Sequence, residues 1–372
     1  MKSVLFTAMD GGGYGSVAAI EAMARNEGIQ TGWVVGKDGV AVKKLEKSKR
    51  NFFGFESFFT EGFIGKSFAD VSAVVAGVSS KPGPDFWLAK QAIDYGIPVV
   101  KVLDFWGTGQ PHEKSFAPTR LCVLDQPSVS YEARMRGMSS ANIRVTGDPK
   151  MDALVDVLAK VDRETYYKNR QKLEILDNQI FIAFFGPGSQ ERSDEIFYPL
   201  VDALDESDFA KNVVLGVLLH PKSNPENYAG EYYEHLDKCG LQCRQDDFVR
   251  LLEDISSITI ASDLVVGATS TELISSCYLR RPTLNIIFPG GMNVEEFFKP
   301  RGMEEITLPS VECGAALLAK NEDQISEHLN DLFWDWPDSF GLQEDLIARQ
   351  EQHYNLDGKN TERVLTVLKE VL

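Results

Sequence analysis

The fold of this chain is best approached from the stretch Ser262-Asp263-Leu264-Val265-Val266-Gly267-Ala268-Thr269-Ser270-Thr271-Glu272-Leu273. The apolar run from Leu264 to Val266 contains two β-branched residues, as a buried central strand of a parallel sheet favours. Gly267 predicts the end of that strand, and hydroxyl side chains follow at Thr269 to Thr271. The stretch therefore predicts a buried strand, a tight turn and the start of a helix.

The hydroxyl cluster at this predicted helix start has two interpretations. The first is a binding site, because helix N-termini carry unpaired N–H groups and a partial positive charge that attract anions such as phosphate. Glu272 would then lie in the first turn, within reach of a ribose hydroxyl, and phosphate with ribose indicates a nucleotide. The second is N-terminal capping alone, which is the commoner reason for Ser and Thr at such a position.

Three further segments support the binding interpretation. Ile180 to Phe185 is an apolar run before a glycine-rich turn, Val213 to Leu219 is one before a His-Pro pair, and Arg281 to Ile287 contains another apolar run. Ligands of open parallel sheets bind outside the carboxyl ends of the strands, where these polar groups fall. The predicted nucleotide pocket comprises Gly186, Gly188, Ser189, His220, Thr269, Ser270, Thr271 and Glu272.

Strands and helices alternate along the sequence in two successive series. Such alternation predicts an α/β protein whose parallel sheets carry helices on both faces, and 372 residues suffice for two domains. We expect an N-terminal Rossmann-like domain at residues 1–149 and a C-terminal one at 179–337. Residues 150–178 read as a polar, helical interdomain crossing, and 338–372 as amphipathic C-terminal helices.

The order of these motifs resembles that of the GT-B glycosyltransferases, a class with two Rossmann-like domains that also includes the UDP-N-acetylglucosamine 2-epimerases. The donor domain of that class shows a glycine-rich turn, a His-Pro pair, an Asp-to-Glu stretch and an Arg-Pro-x-Leu-Asn segment in this order. Further segments that resemble those of this class lie near the domain junction and near the end of the sequence. The matching residues here are Gly186 to Ser189, His220-Pro221, Asp263 to Glu272, Arg281 to Asn285, Thr146 to Leu154, Asp357-Gly358 and Thr361 to Val364.

This resemblance implies both a function and an arrangement. The two domains would face each other across a cleft, with the acceptor on the N-terminal domain and a nucleotide diphosphate sugar, UDP-linked by expectation, on the C-terminal domain. The last helices would return to the N-terminal domain. The implied reaction is glycosyl transfer to a glycan, a lipid-linked molecule or a small molecule, with the nucleotide sugar as substrate and no other cofactor.

Two alternatives within the same fold stay open. One is a nucleotide-sugar 2-epimerase or hydrolase, which His220-Pro221 and Glu272 also resemble. The epimerases carry a His-x-Glu-Ala-Gly-x-Arg stretch and an Arg-x-x-Glu-Glu-x-Asn-Arg stretch, whereas this chain has Leu103-Asp104-Phe105-Trp106-Gly107 and His112-Glu113-Lys114-Ser115 at those places. The other alternative is a non-catalytic nucleotide-sugar-binding protein, since fold alone does not establish activity.

A second glycine-rich stretch, Asp10-Gly11-Gly12-Gly13-Tyr14-Gly15-Ser16, follows the first predicted strand. We interpret it as a loop before a helix from Gly15 to Arg25, in which Gly12 and Gly13 approach donor phosphates or the acceptor; a tight turn without ligand is the equal alternative. The GxGxxG spacing and an acidic residue ~20 positions later are missing, which argues against a dinucleotide-dependent dehydrogenase.

Two acids are candidates for the catalytic base that an inverting transfer requires. Asp104 ends the predicted strand Val99 to Leu103, where burial would raise its pKa, although a loop Asp also caps turns. Asp10 is the only acid of the second glycine-rich stretch. Helix N-termini would hold the departing diphosphate without a metal ion. Retaining GT-B enzymes often carry a second glutamate shortly after the first, and its absence between Glu272 and Leu284 favours inversion.

The amino-acid composition indicates which partners and which cellular compartment to expect. The net charge of −17 argues against nucleic acid and anionic membranes as main partners. No apolar run approaches the ~18 residues of a membrane span, and five scattered cysteines indicate buried free thiols in a reducing cytoplasm. The isolation of Cys239 and Cys243 argues against a metal site, and His235 is expected on a solvated surface. A homodimer stays open.

Overall fold

The structure is a computed structural model that describes residues 3–58, 70–79, 81–105, 112–113, 116–220, 223, 225–244, 255–299, 308–334 and 340–372. The chain divides into two compact units: Met1–Ala153 with Asn355–Leu372 form the first, and Leu154–Tyr354 form the second. Five residues of the motifs quoted above lie outside the described residues, namely Trp106, Gly107, Lys114, Ser115 and Pro221.

The first unit is built on a seven-stranded parallel sheet with the order β3-β2-β1-β4-β5-β6-β7. Its central strands are apolar at nearly every position, because helices cover both faces of such a sheet. The strands are β1 (Ser3–Thr7), β2 (Thr31–Val35), β3 (Phe53–Gly54), β4 (Val71–Ala76), β5 (Val99–Val102), β6 (Arg120–Val123) and β7 (Ile143–Val145).

Helices follow the strands of the first unit, and a sixth helix begins where this unit gives way to the next. Pro84 at the first helical position and the left-handed Gly137 after the last turn mark a start and an end as sequence rules predict. The helices are α1 (Gly11–Asn26), α2 (Val40–Lys47), α3 (Phe55–Phe58), α4 (Pro84–Asp94), α5 (Gln126–Arg136) and α6 (Asp152–Leu158).

The second unit repeats this plan with a six-stranded parallel sheet of order β10-β9-β8-β11-β12-β13. Strands β8 and β9 are buried at every position, which explains their unbroken apolar sequences. The strands are β8 (Ile180–Phe185), β9 (Val213–Leu218), β10 (Gln242–Arg244), β11 (Leu264–Gly267), β12 (Thr283–Ile286) and β13 (Leu317–Ala319).

Amphipathic helices also alternate with the strands of the second unit. They are α7 (Arg163–Lys172), α8 (Gln190–Asp205), α9 (Ala229–Lys238), α10 (Ile255–Ala261), α11 (Thr271–Tyr278), α12 (Pro309–Glu312), α13 (Glu322–Phe333) and α14 (Phe340–His353). The expectation that all C-terminal helices join the first domain does not match this division, because α14 lies in the second unit. Tyr278 and Tyr354, whose rings lie 5.1 Å apart, show how the end of α14 packs beside α11.

The chain's last helix, α15 (Asn360–Lys369), belongs to the first unit. Its apolar side, with Val364 and Leu368, joins the core cluster that also contains Val17 of α1. The carboxylate of Asp152 accepts hydrogen bonds from the first two backbone N–H groups of the helix, those of Asn360 (2.9 Å) and Thr361 (2.8 Å). Asp152 thus performs the N-capping that the helix's own preceding residue, a lysine, does not provide.

In each sheet, the chain first places successive strands on one side of the first strand and then crosses over to place the later strands on its other side. In the first unit this switch point lies between β1 and β4, and in the second it lies between β8 and β11. The connections leaving two such neighbouring strands run to opposite faces, which opens a crevice at the carboxyl ends. These two edges are therefore where ligand-binding groups are expected.

A network of charged side chains lies inside the first unit beside β5. Lys101 on this strand and Glu113, both fully buried, form an ion pair of 2.6 Å. Arg136 donates to Glu132 at 2.9 Å and lies 3.5 Å from Glu113. Fully buried Asp85 completes the group, which therefore contains three carboxylates and two cations. Burying an unpaired charge is costly, so the surplus carboxylate favours binding a proton.

Candidate functional site

The switch point of the second unit brings two helix N-termini to neighbouring strands. Helix α8 starts after β8 with Ser189 as its N-cap, whose Oγ accepts a hydrogen bond from the Arg192 N–H at 3.4 Å. Helix α11 starts after β11 with Ser270 as its N-cap, whose Oγ accepts from the Glu272 N–H at 3.2 Å. Both capping interactions match the sequence pattern. Helix N-termini favour anions, because their first N–H groups lack intrahelical partners and carry a partial positive charge.

Arg192 of α8 connects the loop before α11 with the segment that contains Asn293. Its Nη2 donates to Thr269 Oγ1 at 2.6 Å, and its Nε donates to Asn293 Oδ1 at 3.0 Å. Its guanidinium also lies over the ring of Phe297, 5.6 Å from the centroid. Burial lowers the pKa of this guanidinium, while nearby Glu296 and Glu195 oppose that change. An arginine stays charged in proteins, so Arg192 places a fixed positive charge beside the hydroxyl cluster.

Asn293 and Glu195 form further hydrogen bonds that fix the position of Arg192. The Asn293 amide donates to the Arg192 carbonyl at 3.1 Å, and the Asn293 backbone N–H donates to Glu195 Oε2 at 3.0 Å. Burial raises the pKa of Glu195, and the hydrogen bonds from Asn293 and Met292 oppose this. A Cβ on Gly291 would lie only 1.9 Å from Glu195 Oε1, so the glycine makes room for the carboxylate.

The other predicted members of the nucleotide pocket lie at the same edge of the sheet. Thr271 and Glu272 are half-buried in the first turn of α11. Gly186 follows β8, and a Cβ there would approach Leu219 to 2.9 Å, whereas a Cβ on Gly188 would meet nothing within 4 Å. His220 is half-buried after β9, and its carbonyl accepts from Ser223. Gly186 thus packs closely against the Leu219 side chain, and Gly188 borders open space.

Asp263, the second residue of the stretch quoted first, has a structural role. Asp263 precedes β11, so it lies at the amino end of this strand, opposite to the predicted pocket. Its carboxylate pairs with Arg170 at 2.9 Å and accepts the Phe181 N–H at 2.8 Å. Asp263 therefore fastens α7 and β8 together and contacts no member of the pocket.

The first unit has a second polar cluster around the N-terminus of α1. Asp104 follows β5 and is 16% exposed; its Oδ2 lies 4.0 Å from Lys150 Nζ. Lys150 also pairs with Asp148 Oδ2 at 3.2 Å, and Asp148 Oδ1 accepts the Ser16 hydroxyl at 2.5 Å. Burial raises the pKa of Asp104, Lys150 lowers it, and Asp148 and Asp10 raise it. The shift makes Asp104 a stronger proton acceptor than an ordinary aspartate.

Asp10, the other candidate base, precedes the first residue of α1 in extended backbone. Its N–H donates to Ser79 Oγ at 3.4 Å, which connects the ends of β1 and β4 at the switch point. The negative charge of Asp10 contributes to the raised pKa of Asp104, so both acids belong to one cluster. The structure thus brings the two candidates together without distinguishing their roles.

The predicted loop from Asp10 to Ser16 is wrong, because α1 begins at Gly11 and contains all its glycines. Gly12 and Gly13 lie in the first turn. A Cβ on Gly12 would lie 2.0 Å from Asp104 Oδ2, and one on Gly13 would lie 2.8 Å from the Val78 carbonyl oxygen. The run of glycines therefore lets the helix start press against β4 and Asp104, which a helix with side chains there would not permit.

Sequence reasoning missed the residues that hold each of these clusters together. Arg192, Asn293 and Glu195 lie in the second unit, and Lys150 and Asp148 lie in the first. Arg192 had a usable signal, since it stands three residues after the cap Ser189 and so falls in the first helical turn. Asn293 had none, because its partner Arg192 is 101 positions away in the sequence.

Solved structures share this arrangement of elements over the entire chain. HepE of Anabaena, solved in complex with UDP and glucose, matches with a TM-score of 0.64 and 15% identity, covering 100% of both chains. A glycosyltransferase from Rickettsia africae matches with a TM-score of 0.68 and 13% identity, covering 100% of this chain and 98% of that chain. The chain has the GT-B fold.

The UDP-GlcNAc 2-epimerase of Neisseria meningitidis, solved with bound UDP-GlcNAc, shares the GT-B fold with a TM-score of 0.64, 14% identity and 100% coverage of both chains. The expected α/β class with two Rossmann-like domains is thereby confirmed, and the fold is the one that the GT-B resemblance implied. No family model matches the sequence, and no curated protein matches it. Among the described residues, no helix combines the length and apolarity needed to cross a membrane.

Proposed function

We propose that this protein transfers a sugar from a nucleotide diphosphate donor, UDP-linked, to an acceptor hydroxyl or amine, with inversion and without a metal ion. The observation that carries the proposal is the Arg192–Thr269 hydrogen bond of 2.6 Å between the N-termini of α8 and α11. Two helix N-termini and a fixed cation at a strand switch point suit a diphosphate. This part of the proposal assigns the donor to the second unit.

In this proposal the second unit stabilises the departing nucleotide. Negative charge grows on the bridging phosphate oxygen as the bond to the sugar breaks, and Arg192 with the free N–H groups of α8 and α11 would stabilise it. Glu272 would accept hydrogen bonds from the ribose hydroxyls, and His220 would border the phosphates. Because these donors are already oriented, the site does not depend on a divalent cation for charge neutralisation.

The first unit would supply the base and bind the acceptor. Asp104, with its raised pKa, would accept the acceptor's proton while the acceptor oxygen attacks the anomeric carbon. The bond from that carbon to the phosphate oxygen breaks, and the nucleotide diphosphate leaves with the electron pair. A single displacement of this kind inverts the anomeric configuration. Lys150 would position the Asp104 carboxylate, and Asp10 is the competing base.

A 2-epimerase is the second candidate, because solved 2-epimerases also share the fold, one of them with bound UDP-GlcNAc. Such an enzyme would change the configuration of a nucleotide sugar without any acceptor. The two motifs that mark the epimerases are missing from this chain, which favours transfer. A protein that binds the nucleotide sugar without turnover is the remaining outcome, and turnover assays with and without acceptors distinguish the three.

Calorimetric titration with UDP, other nucleoside diphosphates and UDP-sugars tests the donor site. Glu272→Ala and Arg192→Ala should each weaken UDP binding by about 1–3 kcal/mol, the usual cost of stranding a polar or charged partner. Glu327→Ala and Arg280→Ala are matched controls, since both residues are exposed in the same unit away from the cluster. Unchanged affinity in both site variants, with the fold intact, would exclude this donor site.

Product analysis tests the chemistry. Transfer should give the inverted anomer and should continue at the same rate in excess chelator at 25 °C. A retained anomer, or activity that a chelator abolishes and a metal restores, would overturn the mechanism. Conversion of the nucleotide sugar in the absence of any acceptor would favour the epimerase instead.

A further inference from the structure

Three side chains with metal-ligand chemistry converge on facing helices of the second unit. His235 Nε2 lies 3.3 Å from Asp202 Oδ1, and Cys239 Sγ lies 3.9 Å from His235 Nε2. One ligand atom from each of the three residues lies within 4.8 Å of the other two. Asp202 belongs to α8, whereas His235 belongs to α9 and Cys239 directly follows it. None of them belongs to the proposed donor site.

The helical geometry explains why these groups meet. His235 and Cys239 are four residues apart, so both side chains lie on one face of α9. Stacked rings of Phe197 and Tyr232, 4.0 Å apart, hold that face against α8. The ring of Tyr198 packs edge-on against the imidazole of His235 at 5.0 Å and limits its rotation. The sequence predicts a solvated His235, but the structure leaves its side chain only 29% exposed.

The surroundings favour a cation. A surface recess of about 300 Å³ begins at Asp202, and its lining includes five carboxylates. They are Asp202, Asp205, Glu206, Glu322 and Asp323. Asp202 itself is 63% exposed, so an ion can enter from solvent without any rearrangement of the fold. A concentrated negative charge next to an imidazole and a thiol attracts a divalent metal. The bound metal ion, not the carboxylates, would stabilise the thiolate that coordination requires.

We propose that Asp202, His235 and Cys239 bind one Zn²⁺ ion, with water as the fourth ligand. Zinc takes carboxylate oxygen, imidazole nitrogen and thiolate sulfur at ~2.0–2.3 Å in a tetrahedron, and donors at the observed separations reach these distances through small side-chain rotations. The thiolate and imidazole select against Mg²⁺ and Ca²⁺, which prefer oxygen ligands alone. The ion ties the C-terminal end of α9 to α8.

The role of this ion is structural. Asp202 follows Arg192 by ten positions in the same helix, which corresponds to about 15 Å along the helix axis. The metal therefore does not reach the proposed donor site. Removing it should lower the thermal stability of the protein and leave nucleotide binding at 25 °C unchanged, so this proposal and the proposed function can fail independently.

Titration of the chelator-treated full chain with Zn²⁺ and Co²⁺ tests the site. We expect one ion per chain, a rise in Tm with Zn²⁺, and a thiolate-to-cobalt charge-transfer band with Co²⁺. Cys239→Ser should remove that band, and Cys239→Ser or His235→Ala should lower Zn²⁺ affinity by more than ~100-fold, because even loss of an outer-shell partner costs 10–100-fold. Asp202→Asn, a milder surface change, should lower the affinity as well.

Controls separate this site from other thiols. Cys243→Ser and Cys313→Ser should keep the stoichiometry, the affinity and the cobalt band, with folding of every variant checked by circular dichroism. Undiminished Zn²⁺ binding in the folded Cys239→Ser and Asp202→Asn variants would overturn the assignment. So would a cobalt complex without a thiolate band, or the absence of stoichiometric binding by the unsubstituted chain.

Discussion

The position of a carboxylate in this fold decides which groups surround it, as two aspartates of the first unit show. Asp104 and Asp148 both follow parallel strands of the first unit, and both approach the same ammonium group of Lys150. The two differ because Asp148 also accepts the Ser16 hydroxyl, whereas burial raises the pKa of Asp104. The raised pKa of Asp104 is the reason why the proposed mechanism gives it the role of base.

Replacing Asp104 by Asn should leave nucleotide affinity unchanged and lower the transfer rate by ~10²–10⁴-fold, because the amide cannot accept the proton. In the unsubstituted protein, the proposed transfer should show a kcat/KM that falls as the pH drops through the pKa of Asp104, at a pH above the usual aspartate range. Steady-state rates with Asp10→Asn as the paired variant provide the measurement. Full activity in both variants would remove the base from this cluster.

The glycines of α1 offer a sharper residue-level comparison. Ala at position 13 would bring a Cβ to 2.8 Å from the Val78 carbonyl, a backbone atom that cannot move alone, whereas Ala at position 15 would meet only the Lys150 side chain at 3.5 Å. Gly13→Ala should therefore destabilise by about 1–3 kcal/mol. Gly15→Ala should be neutral or stabilising by up to about 1 kcal/mol through helix propensity.

Urea unfolding of these two variants under identical conditions gives the comparison. Equal stabilities would contradict the close approach of α1 to the end of β4. A destabilised Gly15→Ala together with a neutral Gly13→Ala would reverse the packing interpretation.

Helices and strands were predictable where local pattern and tertiary packing agree. The buried runs of β8, β9 and β11 and the caps Ser189 and Ser270 follow directly from apolar sequence and hydroxyl position. The start of α1 was not predictable, since three glycines in succession disfavour a helix by propensity. Close packing at β4 outweighs that cost, and such packing is visible only in three dimensions.

The start of α15 depends on a residue more than two hundred positions earlier. Asp152→Ala should lower the free energy of unfolding by about 0.5–2 kcal/mol, the range measured for replacing a capping side chain by Ala, because the acceptor of the Asn360 and Thr361 N–H groups is lost. Asp156→Ala, at an exposed position in α6, is the matched control and should change little. Equal effects in the two variants would contradict the capping role.

Across the chain, the order of the six strands in the second sheet repeats the order of the first six strands in the first sheet, without a visible sequence repeat. The alternation of strands and helices was enough to predict two parallel sheets, because each strand type has a recognisable apolar pattern. The allocation of helices to units was not predictable, since α14 and α15 have similar amphipathic sequences. What distinguishes them is their partners, α11 and α13 for one and α1 for the other, and these are set by long-range packing.

The buried charge network of the first unit predicts a pH dependence of global stability. Burial raises the pKa of Asp85 to about 6, while Lys101 and Ser79 lower it and Glu113 raises it. The folded chain then keeps a proton that the unfolded chain loses at lower pH. Stability should therefore fall as the pH rises from about 4 to above 6, by on the order of 2–3 kcal/mol.

Urea unfolding at pH 5 and pH 7.5 measures this dependence. Asp85→Asn should remove most of it, because the amide mimics the protonated carboxyl at both pH values. An unchanged slope in the variant would assign the proton elsewhere in the network, and a rise in stability over this interval would contradict a raised pKa.

The division of the first unit into two chain segments bears on how the protein is made. A ribosome reads the codons of the entire second unit before it reaches those of α15, which supplies Val364 and Leu368 to the core beside Val17. The N-terminal segment of the first unit is therefore translated long before α15, the helix that completes its core. A nascent chain paused near Tyr354 would expose the side of α1 that α15 covers in the finished protein.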